Sequence, residues 1–213
     1  MNAAATLGTV LLAYLPAAIT PGPNFVLIAH TAATATRRAA VAIALGVVAA
    51  GGLLAAVAVF GLGGLLARAP WPATALRVVC GGYLAWLGVR LWWRARAPSD
   101  PVEPPDRDDV APTPPDRRGT AFGRGVLSNL TNPKAAAFFG SVLTATLPPT
   151  EPTAVKAAAV ALIVAASAAW HLSVALLFSS PATQRWYART EPALNRVVGT
   201  VLVVLGVALA VTP

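Results

Sequence analysis

The sequence predicts an all-α integral membrane protein with six transmembrane helices, arranged as a 3+3 inverted repeat with broken first and fourth helices. Composition is the first reason: 56% of the 213 residues are hydrophobic and only 11% are charged, against roughly a quarter charged in a soluble domain. The second is that the apolar runs form two groups of three, and the third is that the first run of each group is interrupted by proline. Soluble enzymes, disordered chains and secreted disulfide scaffolds are excluded.

The first repeat, residues 1–95, contains apolar spans at about 5–31, 39–67 and 71–93. No charge precedes Arg37, so the basic segment of a signal peptide is missing and we expect the first span to stay in the protein. The second span has 67 − 39 + 1 = 29 residues. As a helix it would measure roughly 43 Å, longer than the bilayer core of about 30 Å, so it should tilt or extend past the core.

A proline- and aspartate-rich linker, residues 96–119, separates the repeats and is expected to be solvated and extended. The second repeat, residues 120–213, has apolar spans at about 121–147, 154–178 and 193–211. Pro21 and Pro133 lie 133 − 21 = 112 residues apart, and this offset lays the first three spans onto the second three. Because three is odd, the two repeats should be inverted, and inverted repeats with paired broken helices are typical of transporters.

Lysine and arginine predict the orientation, since they accumulate on the cytoplasmic side. The loops on one side, with the end of the third span, contain Arg37, Arg38, Arg90, Arg94, Arg96, Arg107, Arg117, Arg118, Arg124, Arg185, Arg189 and Arg196. The other side contains only Arg68, Arg77 and Lys156. We therefore expect a multi-pass protein of the bacterial cytoplasmic (inner) membrane with both termini outside. The net charge of +8 reflects this topology rather than nucleic-acid binding.

The two breaks are the candidate binding site. Proline removes a donor and clashes with the preceding turn, so freed backbone groups must face protein or a polar cavity rather than lipid. Thr20 or Asn24 could cap the second half of the first span, and Asn132 the second half of the fourth, with Pro133 as its first residue. The two half-helix N-termini could receive a carboxylate. A plain proline kink would explain one break, but two at matching positions favour a site.

Lys134 lies inside the second break, where a cation is expensive and suggests function, although snorkelling to an interface is the alternative. His171 could relay a proton or bond a substrate amine, or it could be a satisfied interhelical histidine. The plain structural interpretation is preferred for His30, Arg37 and Arg90. The candidate substrate-binding residues are Thr20, Pro21, Gly22, Pro23, Asn24, Asn129, Asn132, Pro133, Lys134 and His171.

The sequence lacks the residues required for a carboxylate proton relay, a metal site or a known catalytic motif. The apolar spans contain no aspartate or glutamate, so a carboxylate proton relay is not visible and a dibasic substrate would lack a counter-charge. One cysteine, Cys80, and two histidines offer no metal cluster, and no catalytic triad, phosphate loop or dinucleotide fingerprint is present. We expect no metal, organic cofactor or enzymatic activity. A homodimer is compatible with so small a chain, but no residue pattern demonstrates one.

Three motifs resemble those of the LysE/RhtB amino-acid exporter family. They are Thr20-Pro21-Gly22-Pro23-Asn24 in the first span, Gly82-Tyr83-Leu84-Ala85-Trp86-Leu87-Gly88-Val89-Arg90 in the third, and Phe122-Gly123-Arg124-Gly125 leading into Asn129-Leu130-Thr131-Asn132-Pro133-Lys134-Ala135 in the fourth. The resemblance covers essentially the whole chain. It implies a secondary transporter, driven by the proton-motive force, that exports amino acids or related metabolites from a bacterial cytoplasm. The linker looks longer and less apolar than the family would suggest.

The resemblance therefore implies export of an amino acid or related small zwitterion across the lipid bilayer, with protons as the coupling ion. The alternatives are an intramembrane enzyme acting on lipid head groups and a small-ion exporter of similar architecture. The enzyme would need a nucleophile or an acid–base pair at membrane depth, where only His171 and Lys134 are available. The ion exporter would want carboxylates or thiolates in the spans, and the sequence lacks them.

Overall fold

The computed structural model describes residues 3–62, 70–96, 118–147 and 150–211, and within these ranges it contains helices and no strand. Nearly all of the predicted linker and the last residues of the second predicted span lie outside the described residues. The helices are α1 (Ala3–Ile19), α2 (Pro23–Thr34), α3 (Arg37–Ala56), α4 (Pro70–Arg94), α5 (Arg118–Leu130), α6 (Pro133–Ala137), α7 (Thr153–Leu177) and α8 (Pro181–Val211).

Two helices change their winding along their length. α3 continues into a π-helical segment, Val57–Leu62, and α6 into another, Phe138–Leu143, which is followed by one α-helical turn, Thr144–Thr146. α8 begins 193 − 181 = 12 residues before the apolar span expected from hydropathy. Hydropathy marks only the part of a helix that suits lipid, whereas the preceding residues, which include Arg185 and Arg189, are helical as well.

Several helices have the length and apolarity of membrane spans. Within the described residues these are Arg37–Gly61, Thr153–Leu177 and Pro181–Val211, and the bent pair α1–α2 gives a fourth if it counts as one span. Large apolar side chains such as Leu12, Leu127 and Val204 are exposed on the surface, as expected of a protein whose solvent is lipid. The prediction of an all-helical membrane protein is confirmed, while the six-span 3+3 repeat goes further than these observations.

Both predicted breaks interrupt a helix at a proline. α1 and α2 are bent by 54° relative to each other, and α2 begins at Pro23. α5 ends at Leu130 and α6 restarts at Pro133. In each case the residue before the proline provides the first carbonyl of the new helix: Gly22 O accepts from Val26 N at 2.9 Å, and Asn132 O accepts from Ala136 N at 3.0 Å.

Glycine allows two helix pairs to approach closely. α3 packs on α5 with Gly46 against the Phe122 carbonyl and Gly125 against the Ile43 carbonyl, and a side chain at either glycine would collide with that backbone. α4 packs along α8 through two glycine pairs, Gly81 with Gly206 and Gly88 with Gly199. Small residues at such crossings maximise backbone packing, which is the main attraction between helices in lipid.

The buried apolar side chains form two separate clusters. One includes Tyr14, Ala135 and Phe138, and the other includes Phe25 and Val47. Both helix breaks lie between the clusters, where polar side chains line a cavity. The apolar interior is therefore divided into two parts by a polar layer at the level of the breaks.

Candidate functional site

The cavity at the breaks combines apolar walls with polar groups from five helices and from both breaks. It is lined by Tyr14, Ala17, Ala18, Thr20, Asn24, Phe25, Val47, Gly51, Asn129, Asn132, Lys134, Ala135, Phe138, Phe139, Ser167 and His171. Its volume of about 50 Å³ accommodates a few water molecules. A mostly apolar lining with a few convergent polar groups is typical of a small-molecule site.

Lys134 joins the two breaks directly. Its Nζ donates to the Thr20 carbonyl at 2.8 Å, which is a backbone oxygen at the end of α1. Gly22 leaves room for the ammonium, because a methyl group at Gly22 would lie 3.1 Å from Nζ. An ammonium has three donors, and Thr20 O is the acceptor it has among the described residues. Lys134 therefore retains donors for a further ligand.

A chain of side-chain hydrogen bonds fastens α2, α5 and α3 together beside the cavity. Ser128 Oγ donates to Asn24 Oδ1 at 2.8 Å, Asn24 Nδ2 donates to Asn129 Oδ1 at 2.9 Å, and Asn129 Nδ2 donates to the Val47 carbonyl at 2.8 Å. Gly51 makes space for this arrangement, since a methyl group there would lie 3.3 Å from Asn129 Nδ2. Asn24 and Asn129 are both buried, and each satisfies the other.

The predicted cap of the second break is confirmed. Asn132 is the N-cap of α6, its Oδ1 accepts from Lys134 N at 3.0 Å, and Pro133 is the first helical residue. The predicted cap of the first break is wrong. The N-cap of α2 is Gly22, which has no side chain to offer. Thr20 lies upstream and bonds back to the Pro16 carbonyl at 2.5 Å, while Asn24 already lies within α2 and reaches across to Asn129.

His171 is buried on α7 and bonded within its own helix. Its Nδ1 lies 2.9 Å from the Ser167 carbonyl and 3.2 Å from Ser167 Oγ. Because a carbonyl oxygen can only accept, Nδ1 carries a hydrogen, which leaves Nε2 without a bonding partner among the described residues. This geometry satisfies one ring nitrogen of a residue that lines the cavity. His30, by contrast, is exposed.

The structure brings together six of the ten predicted binding residues. Those lining the cavity are Thr20, Asn24, Asn129, Asn132, Lys134 and His171. Pro21, Gly22, Pro23 and Pro133 do not line it. The prolines stop and restart the helices, and both Pro23 and Pro133 are exposed. Gly22 acts on the site indirectly, through the space it leaves for Lys134.

Sequence reasoning missed the aromatic and small polar part of the lining, namely Tyr14, Phe25, Phe138, Phe139 and Ser167. In an apolar span these residues resemble ordinary packing residues, so the sequence carries no signal that separates them. Phe25 belongs to an aromatic cluster with Trp170, Phe178 and Tyr187, with ring centroids 5.0 to 6.4 Å from that of Phe25. Phe25 alone of these four lines the cavity, and the other three rings pack behind it.

The site can hold both charges of a zwitterion. Lys134 offers ammonium donors to an anion, while the Thr20 carbonyl and the amide oxygens of Asn24 and Asn129 can accept from a cation. The lining contains no carboxylate. Among the described residues there is also no group of three or more His, Cys, Asp or Glu that could hold a metal ion.

Comparison with known proteins identifies the family, because the LysE type translocator family matches residues 15–212. The chain belongs to the LysE type translocator family. The resemblance seen in the sequence motifs is therefore confirmed. LysE-type translocators are transporters, so this chain is an integral membrane transporter and not an enzyme.

Individual relatives have modest identity but cover most of the chain. The chain is 29% identical over 204 residues to proteins named threonine efflux protein from Escherichia coli K12 and Salmonella typhimurium, which covers 96% of this chain and 97% of theirs. It is 31% identical over 183 residues to YahN, an uncharacterized membrane protein of Escherichia coli K12, which covers 85% and 78% of the two chains. No solved structure gives a significant match.

Proposed function

We propose that this translocator exports a small neutral amino acid from the bacterial cytoplasm across the cytoplasmic membrane, driven by the proton-motive force. Family membership supports a membrane exporter, and the threonine efflux proteins of Escherichia coli and Salmonella support an amino acid as the substrate. The single observation that carries the proposal is the Lys134–Thr20 contact, which unites the two helix breaks at a cavity between the two apolar clusters.

The proposal includes six spans in a 3+3 inverted repeat with both termini outside. Contacts between helix ends support it: Thr6 Oγ1 donates to Glu151 Oε1 at 3.1 Å on the proposed outer side, and Arg37 Nη2 donates to Ser179 Oγ at 3.0 Å on the proposed inner side. On the inner side Arg196 Nη2 also donates to the Ala95 carbonyl at 3.3 Å. Each contact joins segments that this topology assigns to the same side.

The α4–α8 glycine pairs are compatible with this topology. Gly81 contacts Gly206 and Gly88 contacts Gly199, so α4 and α8 run antiparallel. A six-span chain with both termini outside requires its third and sixth spans to run in opposite directions.

In the proposed binding mode, the substrate carboxylate takes the free donors of Lys134 near the start of α6. Its ammonium group donates to carbonyls freed by the breaks, with Thr20 O the nearest, and to the side-chain oxygen of Asn24 or Asn129. An amino acid has more atoms than the few waters that the cavity accommodates. The cavity must therefore widen during transport, which fits rocking of one repeat against the other in alternating access.

The same site disfavours a dibasic amino acid. A second cationic group would need a counter-charge, and the lining offers no carboxylate to provide one. Lys134 would in addition repel it. A neutral amino acid leaves only its own zwitterion to be satisfied, which Lys134 and the Thr20 carbonyl can do.

Efflux from cells loaded with a threonine-containing dipeptide tests the assignment. Hydrolysis of the dipeptide raises internal threonine, and the export rate into the medium is measured. We expect Lys134→Ala to lower the rate at least about tenfold, since one charge-assisted contact contributes about 1.5–3 kcal/mol. Lys156→Ala, which alters the chain's other lysine, should retain export. A protonophore should abolish export by the parent protein.

Two outcomes would contradict the proposal in different ways. Unchanged export by both Lys134→Ala and Asn132→Ala, at equal abundance in the membrane, would remove the site assignment but leave the exporter intact. If metabolite profiles of the medium show no amino acid that depends on the parent protein, the substrate class itself is wrong.

A further inference from the structure

A second cleft lies where the C-terminal end of α4 meets the middle of α8, away from the cavity at the breaks. Trp92, Arg96 and Arg196 line it, and its volume is about 210 Å³. The indole forms a fixed wall, because Trp92 Nε1 lies 2.9 Å from the Arg196 carbonyl and 3.1 Å from Thr200 Oγ1 and donates to both. Contacts between the two helices thus hold the indole in place.

The two guanidinium groups in this cleft have donors to spare. Arg196 Nη2 donates to the Ala95 carbonyl at 3.3 Å, which uses one of five N–H groups. Neither Arg96 nor Arg196 forms an ion pair with a carboxylate of the described residues. The nearest acid along α8, Glu191, accepts from Asn195 Nδ2 at 3.5 Å. Two arginines on one wall, neither ion-paired within the described residues, favour an oxyanion such as a phosphate group, whose oxygens can accept from both guanidinium groups.

The position of the cleft along both helices matches the level of lipid head groups. In α4 the exposed indoles of Trp92 and Trp93 are followed at once by Arg94 and Arg96. In α8, Arg196 is the last charge before the apolar stretch that ends at Val211. Both antiparallel helices therefore change from apolar to charged at the same end. Tryptophan concentrates at the membrane interface, and basic pockets between helices bind anionic head groups there.

We propose that Arg96 and Arg196 bind the phosphate group of an anionic lipid, with the Trp92 ring packed against the neighbouring glycerol region. The lipid would bridge the C-terminal end of α4 and the middle of α8, which already meet through the Ala95–Arg196 hydrogen bond. This site is separate from the exported substrate and does not depend on the amino-acid export proposed above.

Native mass spectrometry of the full chain, released from detergent with added phosphatidylglycerol or phosphatidylcholine, tests the site. We expect retained phosphatidylglycerol and little phosphatidylcholine. The double variant Arg96→Gln, Arg196→Gln should bind phosphatidylglycerol about tenfold or more weakly, since each arginine near the surface contributes to anionic-lipid attraction. The double variant Arg94→Gln, Arg189→Gln removes the same charge from the same helices outside the cleft and should retain the lipid.

A third arm adds millimolar inorganic phosphate, which distinguishes the two sources of a phosphate group. Retention of phosphatidylglycerol supports the lipid. Its release, with bound phosphate in its place, overturns the lipid as the source. Equal loss in the two double variants, or equal binding of the two lipids by the parent protein, would mean general surface attraction and would overturn the site. Because the measurement contains no amino acid, failure of the export proposal cannot produce these outcomes.

Discussion

The two helix breaks satisfy their backbone in different ways. The break before α6 is self-contained, because Asn132 caps the helix that its own neighbour Pro133 begins. The break before α2 has Gly22 at the equivalent position and no side-chain cap. Its freed carbonyl at Thr20 is instead satisfied from the other half of the chain, by Lys134 Nζ at 2.8 Å.

The two halves of the chain thus contribute unequally to the candidate site. The second half contributes its own helix cap, the Lys134 ammonium and Asn129. The first half contributes Thr20 O as an acceptor, Asn24 as a partner for Asn129, and the room that Gly22 leaves for the ammonium. Any change at the second break should therefore disturb both helix breaks. A change at the first break should act mainly through its contact with Lys134. Substitutions at four positions test this difference.

The largest effect on stability is expected for Asn129→Ala. It leaves Asn24 Nδ2 without its buried acceptor and should lower the free energy of unfolding by about 2 kcal/mol. The measurement is unfolding in mixed micelles followed by circular dichroism. Asn195→Ala is the matched control, because Asn195 is 3% exposed against 5% for Asn129 but has an unpaired Oδ1. Equal losses in the two variants would show that the Asn24–Asn129 pair contributes nothing particular.

A smaller effect is expected at the cap of the second break. Asn132→Ala removes the acceptor for Lys134 N and should lower the free energy of unfolding by about 1 kcal/mol. Asn132→Ser should retain most of this stabilisation, because serine also caps helices. At the first break Thr20→Val removes only a hydroxyl that donates to the Pro16 carbonyl. This change should lower the free energy of unfolding by about 0.6 kcal/mol. Thermal unfolding in detergent compares the three. An equal loss of stability from substitutions at the two breaks would contradict the difference between them.

The smallest effect on stability, with a clear effect on transport, is expected for Gly22→Ala. The backbone of Gly22 is extended, with φ of −155°, a conformation open to any residue. The added methyl would lie 3.1 Å from Lys134 Nζ, at the end of a flexible side chain that can move aside. We expect the free energy of unfolding to fall by about 0.5 kcal/mol. The export rate should fall several-fold, because the ammonium is displaced.

The control for this variant is Gly8→Ala on α1, where an added methyl has nothing within 4 Å. It should leave export at the parent level. If Gly22→Ala also exports at the parent level while Lys134→Ala does not, the position of the ammonium next to Gly22 is irrelevant to transport.

The sequence was sufficient for features that depend on local chemistry. Proline at 133 with asparagine before it specifies a capped helix start, because both constraints act within a few bonds. The bend at Pro21–Pro23 follows in the same way. The cap of α2 was mispredicted because Thr20 and Asn24 are good capping residues by type, while the helix start at Pro23 placed glycine in the capping position.

Features that depend on distance between helices could not be predicted from the sequence. Asn24 and Asn129 were each singled out, but nothing in their spacing of 129 − 24 = 105 residues indicates that they bond to each other. The Lys134–Thr20 bond is equally non-local. Phe138 and Phe139 have the same apolar character as residues that face lipid or core, so their place on the cavity wall follows only from packing.

Lys134 belongs to only one half of the chain, and this affects the conformations of the protein without substrate. In a transporter of two identical inverted halves, a two-fold rotation would interconvert the inward-open and outward-open conformations, which would be equal in energy. In the proposed inverted repeat one half supplies the charge and the other only a carbonyl, so this two-fold relation is broken at the proposed binding site. The empty protein should therefore spend unequal time open to the two sides, while the direction of net flux is still set by the gradients across the membrane.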